Sequence, residues 1–399
     1  MKAVPHFLAR AQAYGLDQAF AELGYRLESF PEKRSFSGLP SRQQAKDLVG
    51  AQSYARMLAH KVWQHQHHPK TALKLPNALA RFAFDIALRQ DLRSLLDLAE
   101  ADRLHGLVLG KAEGSRRFGI AAFARALGVK VVHIERATYA PDRLAIDPAG
   151  LNGRSALRQS DIPFTSERFR KVGAAFVKQF KQSWKARVPS LNRDFIRSDA
   201  QDLPPEFVFL PFTSPVSPYL FHSGRLVQSV AEIAELALRL VNETPIPALA
   251  FNQHPAYPLP KAVVRRLLAH PKIVNATGWP TNEVLPRASA VVAINGAVGV
   301  AALALGRPLY AVGESYYARP EICFIPQDAE DLLAAFRRER HPQHNENETA
   351  RLAYLGYLTG HYLLGYDEAG LKPRGRKALA HRFLVGALEP YSRPHENPD

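Results

Sequence analysis

The chain has 399 residues, 46% of them hydrophobic and 22% charged, an ordinary globular balance with room for two domains. Its formal charge of +15 points to anionic partners such as nucleic acid, lipid headgroups or phosphorylated substrates, but no zinc-finger, RNP or basic-zipper pattern appears, so no nucleic-acid partner is expected. A single cysteine, Cys323, excludes an internal disulfide and a multi-cysteine zinc site and fits a reducing cytoplasm; no run of about 18 apolar residues suggests a transmembrane helix, and the opening residues lack the apolar core of a signal peptide.

In chain order, residues 5–24 read as a helix with an apolar face, followed by a short extended run over 25–30. A doubly wound domain begins with a strand before such a helix. No strand pattern precedes this one, so a shortened or rearranged N-terminus is expected. Helix formers dominate residues 43–100, with interruptions near Pro69 and Pro76. His60, His65, His67 and His68 lie in this stretch. No carboxylate accompanies them at helical spacing, and His67 and His68 diverge on a helix, so a solvated face is expected rather than a metal site.

Residues 105–109 read as a strand, 118–127 as a helix closed by Gly128, and 129–134 as the next strand. This is a βαβ unit, with Glu135 at the carboxyl end of its second strand. Residues 136–153 carry two prolines and read as a long loop, a kind often tied to function. Residues 154–184 are basic and helical, and 188–206, with Pro189, Pro204 and Pro205, read as an interdomain linker. A strand over 207–210, an amphipathic helix over 227–241 and a strand over 246–252 follow, the last ending at Gln253, His254 and Pro255. Next come a helix over 261–270, a short strand over 272–275 and a helical turn over 282–287.

Residues 290–294 are a short apolar run with β-branched members, a buried-strand pattern. Asn295, Gly296 and Gly299 then turn the chain, 300–305 form a small apolar helix closed by Gly306, and 308–312 make the next strand. In parallel sheets ligands sit at the carboxyl ends of strands, and free N–H groups at the following helix start suit a phosphate. The glycines equally suit close packing alone. Residues 327–337, 347–366 and 376–388 read as helices, and 389–399 as a frayed end.

Three groups thus project from strand ends: Glu135, His254 with Pro255, and Asn295 with its glycines. Two such sheets facing a cleft suit a two-domain nucleotide-sugar glycosyltransferase. One domain would hold the nucleotide and the other the acceptor. The chemistry needs a carboxylate and groups that stabilise the leaving phosphate.

At these residues the chain resembles the capsular polysaccharide synthesis proteins of the KpsS/LipB type, the Kdo transferases that build the lipid-proximal Kdo linker of capsules. The run 135–155 is similar to the family's acid-to-serine stretch at Glu135, Pro141, Asp147, Gly150, Asn152 and Ser155. His254-Pro255 matches the family's His-Pro motif. Asn295, Gly296, Ala297, Val298 and Gly299 stand where the family has Asn-Ser-Thr-Val-Gly, and the match continues through Gly306, Pro308, Gly313 and Tyr317. Residues 107–117, ending at Arg117, resemble the family's Gly-Asp-x-Arg segment. The departures are specific: Gly296 and Ala297 lack the family's two hydroxyls, Phe251-Asn252-Gln253 replaces a lysine region, and Ala137-Thr138 replaces Gly-Tyr.

The resemblance implies an α/β fold of two Rossmann-like domains facing a cleft, the GT-B-like arrangement. Residues 1–190 would be the acceptor side and 205–388 the nucleotide-binding side. It implies a metal-independent enzyme with no cofactor, a CMP-Kdo donor and a lipid or glycolipid acceptor. Partners would be an anionic membrane surface at the inner face of the cytoplasmic membrane and other capsule assembly proteins. Glu135 would be catalytic. His254, Pro255, Asn295, Gly296, Ala297 and Gly299 would hold the nucleotide, and Asp147, Asn152 and Arg117 would support the acceptor or its loop. The lost hydroxyls favour an alternative, a non-catalytic homologue assisting capsule assembly or export.

Overall fold

The structure is a computed structural model. It describes residues 2–3, 14–30, 37–67, 74–110, 115–186, 202–214, 220, 224–254, 258–338, 347–367 and 370–390. The first half runs β1 (Lys2–Ala3), α1 (Leu16–Ala21), β2 (Glu28–Ser29), α2 (Arg42–Val49), α3 (Ala51–His67), α4 (Asn77–Glu100), β3 (Gly106–Gly110), α5 (Ser115–Ala126), β4 (Lys130–Arg136) and β5 (Arg143–Asp147). Two 3-10 turns, Asn152–Arg154 and Ala156–Gln159, lead into α6 (Glu167–Ala186). The second half runs β6 (Val208–Pro211), α7 (Val230–Glu243), β7 (Leu249–Asn252), α8 (Lys261–Leu268), β8 (Ile273–Asn275), α9 (Thr281–Val284), β9 (Ala290–Ala293), α10 (Ala297–Leu305), β10 (Leu309–Ala311), α11 (Ala329–Arg337) and α12 (Glu348–Tyr357). A π-helical turn, Leu358–Tyr362, then leads to β11 (Leu364–Asp367), β12 (Gly370–Leu371) and α13 (Pro373–Leu384).

The fold is α/β with one mixed and one parallel sheet. The second sheet has the order β10-β9-β6-β7-β8, all parallel. β6, the first of its strands along the chain, sits at the centre, with β7 and β8 to one side and β9 and β10 to the other. The strand order therefore reverses between β6 and β9, which opens a crevice at their carboxyl ends. The first sheet has the order β12-β11-β5-β4-β3-β1-β2. Its β2, β1, β3 and β4 are parallel, whereas β5, β11 and β12 are antiparallel to their neighbours.

Three expectations from sequence fail here. A strand does precede the first helix: Lys2–Ala3 lies between β2 and β3. Two residues are too few to show a periodicity, but both neighbours satisfy their backbone. The stretch after Glu135 is not one long loop but a hairpin in which His133 to Arg136 pair with Leu144 to Asp147. The helix read over 347–366 ends at Tyr362, and Leu364 and Gly365 pair with Leu144 and Arg143 of the first sheet. The chain's last elements therefore return to the first half. Buried Arg382 of α13 fixes them there, donating to the carbonyls of Ile146 at 2.8 Å and Tyr362 at 2.9 Å. The expected linker lies largely outside the described residues.

One core cluster fills the first sheet and its helices, and another packs one face of the second sheet against α7 and α11. The third joins the other face of the second sheet, through α10 and α12, to α6 and the β4–β5 hairpin. The seam of α6 on α12 is backbone to backbone. A methyl on Gly173 would run into the Leu352 carbonyl, and one on Gly356 into the Phe169 carbonyl.

The histidines of α3 do not form one solvated face. His60 is fully buried beside Trp63 and Phe118, and burial drives its pKa down to about 3, aided by Lys61, Arg154 and Arg56. The His65 Nε2 accepts the Leu75 N–H at 3.0 Å. The side chains of His67 and His68 lie outside the described residues.

Candidate functional site

β9 is buried along its length because β6 and β10 flank it and helices cover both faces. At its end Asn295 leads to Gly296, whose φ of +84° is open to glycine and strained for any side chain. That turn starts α10, a helix with no side-chain cap at its N-terminus. Its first-turn N–H groups are therefore available at the positive end of the helix dipole. Gly299 serves a different need: a methyl there would overlap the ring of Tyr317. Gly313 likewise lets the exit of β10 press against the Ile294 carbonyl.

The segment after β10 brings hydroxyls to this turn. Ser315 and Tyr317 are both fully buried. Neither hydroxyl meets a partner at bonding geometry, although the two lie close together, and the buried Asn295 Nδ2 also has none. Burial pushes the Tyr317 phenol well up, so it stays a neutral donor. Tyr317 lies against Gly299 in the first turn of α10 and Ser315 lies near Tyr317, so polar atoms without a partner gather about an uncapped helix start, at the point where the strand order reverses.

His254 follows β7 at the same carboxyl edge of the sheet, with β6 lying between β7 and β9. Neighbouring strands are about 4.8 Å apart, so the His254 and Asn295 strand ends are separated by about twice that. Its loop is tied down: the Gln253 N–H donates to Thr277 Oγ1 at 3.0 Å, and Gln253 Oε1 accepts the Leu259 N–H at 2.8 Å. Pro255 lies outside the described residues.

Glu135 lies in β4 opposite Ala145, half-buried. Its charge reaches Tyr139, whose phenol is pushed up by burial first and by Glu135 in addition. Tyr316 donates a hydrogen bond to the Tyr139 hydroxyl at 3.0 Å. Arg158 pairs with Glu314 at 3.2 Å, and Arg319 donates to the Arg158 carbonyl at 2.6 Å. Residues 314–319 therefore touch the Glu135 hairpin region on one side and the α10 turn on the other. Sequence reasoning missed Ser315, Tyr316 and Tyr139. The available signal was a polar and aromatic run, Gly313 to Tyr317, directly after a strand.

Asp147 is fully buried and accepts the N–H groups of Ala149 at 2.8 Å, Gly150 at 3.1 Å and Ala156 at 3.0 Å. It also accepts the Ser155 hydroxyl at 2.6 Å and the Tyr362 hydroxyl at 2.9 Å. Such a carboxylate has no free lone pair to offer a substrate; it holds the turn. Asn152 starts the following 3-10 turn at a φ of +51°, a conformation asparagine tolerates. Arg117 lies half-buried in the first turn of α5, and the preceding residues 111–114 are outside the described set. Among the described residues no three His, Cys, Asp or Glu side chains are grouped to hold a metal ion, and no helix is long and apolar enough to cross a membrane.

No protein-family profile matches the chain. It is 26% identical over 257 residues to protein FixF of Sinorhizobium fredii, which spans 64% of this chain and 59% of that protein. The chain thus matches about three fifths of this curated relative's length. Among solved structures, the β-Kdo 2,7-transferase of Thermosulfurimonas dismutans KpsC superposes with a TM-score of 0.44 at 14% identity, over 74% of this chain and 90% of that one. The β-Kdo 2,4-transferase of the same protein gives 0.44 at 15% identity, over 70% and 87%. The UDP-GlcNAc 2-epimerase of Methanocaldococcus jannaschii gives 0.38 at 13% identity, over 90% and 98%.

Proposed function

We propose that the protein is a glycosyltransferase of capsular polysaccharide synthesis that moves Kdo from CMP-Kdo to a lipid or glycolipid acceptor. The observation that carries the reading is the polar site at the α10 turn. The leaving group of a CMP-sugar is a phosphate, and uncapped N–H groups with Asn295, Ser315 and Tyr317 suit its oxygens. The two hydroxyls missing at Gly296 and Ala297 have counterparts here, because Ser315 and Tyr317 approach the same turn from the next strand. That weighs against the non-catalytic alternative. His254 at the same sheet edge would donate to the phosphate.

In this reading the bond between the anomeric carbon and the phosphate oxygen breaks, and CMP leaves with the electron pair. The acceptor oxygen bonds to the anomeric carbon while Glu135 takes its proton; in the alternative Glu135 attacks that carbon first, and the acceptor oxygen then displaces it and gives its proton to solvent. Both roles need only a carboxylate within about 3 Å of the reacting atom. Residues 1–190, with the elements from Leu358 onward that return to the first sheet, act as the acceptor half and the remainder of 205–388 as the donor half, and the basic surface faces an anionic membrane, where each basic residue near the surface contributes about 1 kcal/mol. The test is CMP release from CMP-Kdo with a phosphatidylglycerol-based acceptor, run with wild type and Glu135→Gln. Glu135→Gln should abolish turnover and leave CMP affinity within about twofold, the pattern of an interaction made in the transition state. Turnover near wild type in that variant would remove Glu135 from catalysis, whereas absence of CMP release in wild type would put the non-catalytic reading in front.

A further inference from the structure

A cavity of about 670 Å³ lies between α6, the β4–β5 hairpin and the π-helical turn after α12, and neither His254, Asn295, Ser315 nor Tyr317 lines it. Its volume falls inside the range of about 300–1,000 Å³ typical of ligand pockets. One wall is apolar: Val172, Ala175, Phe176 and Phe180 come from a single face of α6, with Tyr139 and Ala140 from the hairpin opposite. Trp184 stacks on Phe180 with ring centres 4.9 Å apart. Tyr139 belongs both to this wall and to the surroundings of Glu135.

The other side is cationic. Arg143 lines the cavity, and Arg374 donates to the carbonyl of Gly360, another lining residue. Lys372 Cδ and Arg143 Nη1 both lie close to Gly365, 3.4 and 3.7 Å from where a methyl on it would sit. Arg168, an exposed residue one turn before Val172, is near enough that its charge acts on Arg374, as does that of Arg143. The nearby acids offset this only in part. Asp142 is 3.5 Å from Arg143 but mostly in solvent, and Glu389 is already paired to Arg382 at 2.7 Å.

We propose that this cavity binds one anionic phospholipid molecule, with an acyl chain along Phe176 and Phe180 and the headgroup phosphate on Arg143, Arg168 and Arg374. An apolar wall beside a cationic rim fits an amphiphile of that charge and gives a neutral lipid no partner for its rim. The inference extends the acceptor half of the function proposed above. It is tested without nucleotide, so its failure leaves the donor site untouched.

The test is calorimetric titration of the full chain with dioctanoyl phosphatidylglycerol, dioctanoyl phosphatidylcholine and glycerol phosphate, the lipids kept below their micelle concentrations. Phosphatidylglycerol should bind at least tenfold tighter than either of the others. Arg143→Ser with Arg168→Ser should erase the preference over phosphatidylcholine. Ala175→Trp, which fills the cavity, should weaken phosphatidylglycerol at least tenfold. A chain-brominated phosphatidylglycerol should quench fluorescence in wild type and lose most of that quenching in Trp184→Phe. Equal affinity for the two lipids overturns the proposal, as does glycerol phosphate binding as tightly as phosphatidylglycerol, which identifies a free-phosphate site. Unchanged affinity in Ala175→Trp also overturns it; should that variant fail to fold, the two arginine substitutions and the quenching decide the matter alone.

Discussion

Replacing Asp147 separates a brace from a catalyst. Its carboxylate accepts three backbone N–H groups and two hydroxyls in a fully buried position. In Asp147→Ala the hydroxyls of Ser155 and Tyr362, 3.1 Å apart, can turn to each other. The Ala149 N–H lies in an exposed residue and regains water. The N–H groups of Gly150 and Ala156 keep no acceptor, and an unsatisfied buried donor costs about 1–3 kcal/mol. With the charge-assisted bonds lost as well, the total should be about 4 kcal/mol. Asp147→Asn keeps one oxygen for the turn but points an amide donor at the remaining donors, for a cost of about 2 kcal/mol. Glu135→Gln, at a half-buried strand position, should change stability by no more than about 0.5 kcal/mol. Urea unfolding followed by circular dichroism measures all three. If Asp147→Ala costs less than about 1 kcal/mol, or Glu135→Gln costs as much as Asp147→Asn, the division of roles is wrong.

Stability should fall as pH drops below 6.5. The unfolded His60 side chain protonates near 6.5, whereas burial holds the folded one near 3, so between those values the unfolded state binds the extra proton. The loss should be about 1.4 kcal/mol per pH unit from this residue, and His60→Leu should flatten the urea-midpoint profile accordingly; an unchanged slope would show that His60 titrates normally. Gly356→Ala forces a methyl into the Phe169 carbonyl at the α6–α12 seam. With backbone on both sides, it should cost about 3 kcal/mol or more; a cost below about 1 kcal/mol would mean the two helices part freely.

The second sheet was legible because each of its strands is a short apolar run closed by turn residues. The order of those runs, with right-handed crossovers, gives a parallel sheet. The sequence places a turn at Gly296, and the structure adds the reason: its φ is positive. β5 was hidden because Arg143 to Asp147 alternate only weakly and follow a proline-containing turn, so the strand is defined by its pairing to β4 and β11 rather than by its own pattern. β11 was hidden because its apolar start continues the helical periodicity of α12. Residue type alone suggests solvent for His60, whereas the fold sets it against Trp63 and Phe118. The hydroxyls of Ser315 and Tyr317 reach the α10 turn only through the closeness of the β9 and β10 exits, a relation a linear reading of the chain does not contain.

The most direct test of the donor site is thermal and calorimetric titration with CMP, UDP and GDP, in wild type and in Asn295→Asp. A ligand at 100 times its Kd stabilises the native state by about 2.7 kcal/mol. CMP should raise the unfolding temperature in proportion to the logarithm of its concentration, more than UDP or GDP does. Asn295→Asp keeps the side chain's size and puts a negative charge beside the α10 turn, so it should weaken CMP at least tenfold. Absence of any CMP effect on wild type, or CMP affinity equal in wild type and Asn295→Asp, would contradict the assignment of this turn as the nucleotide-phosphate site.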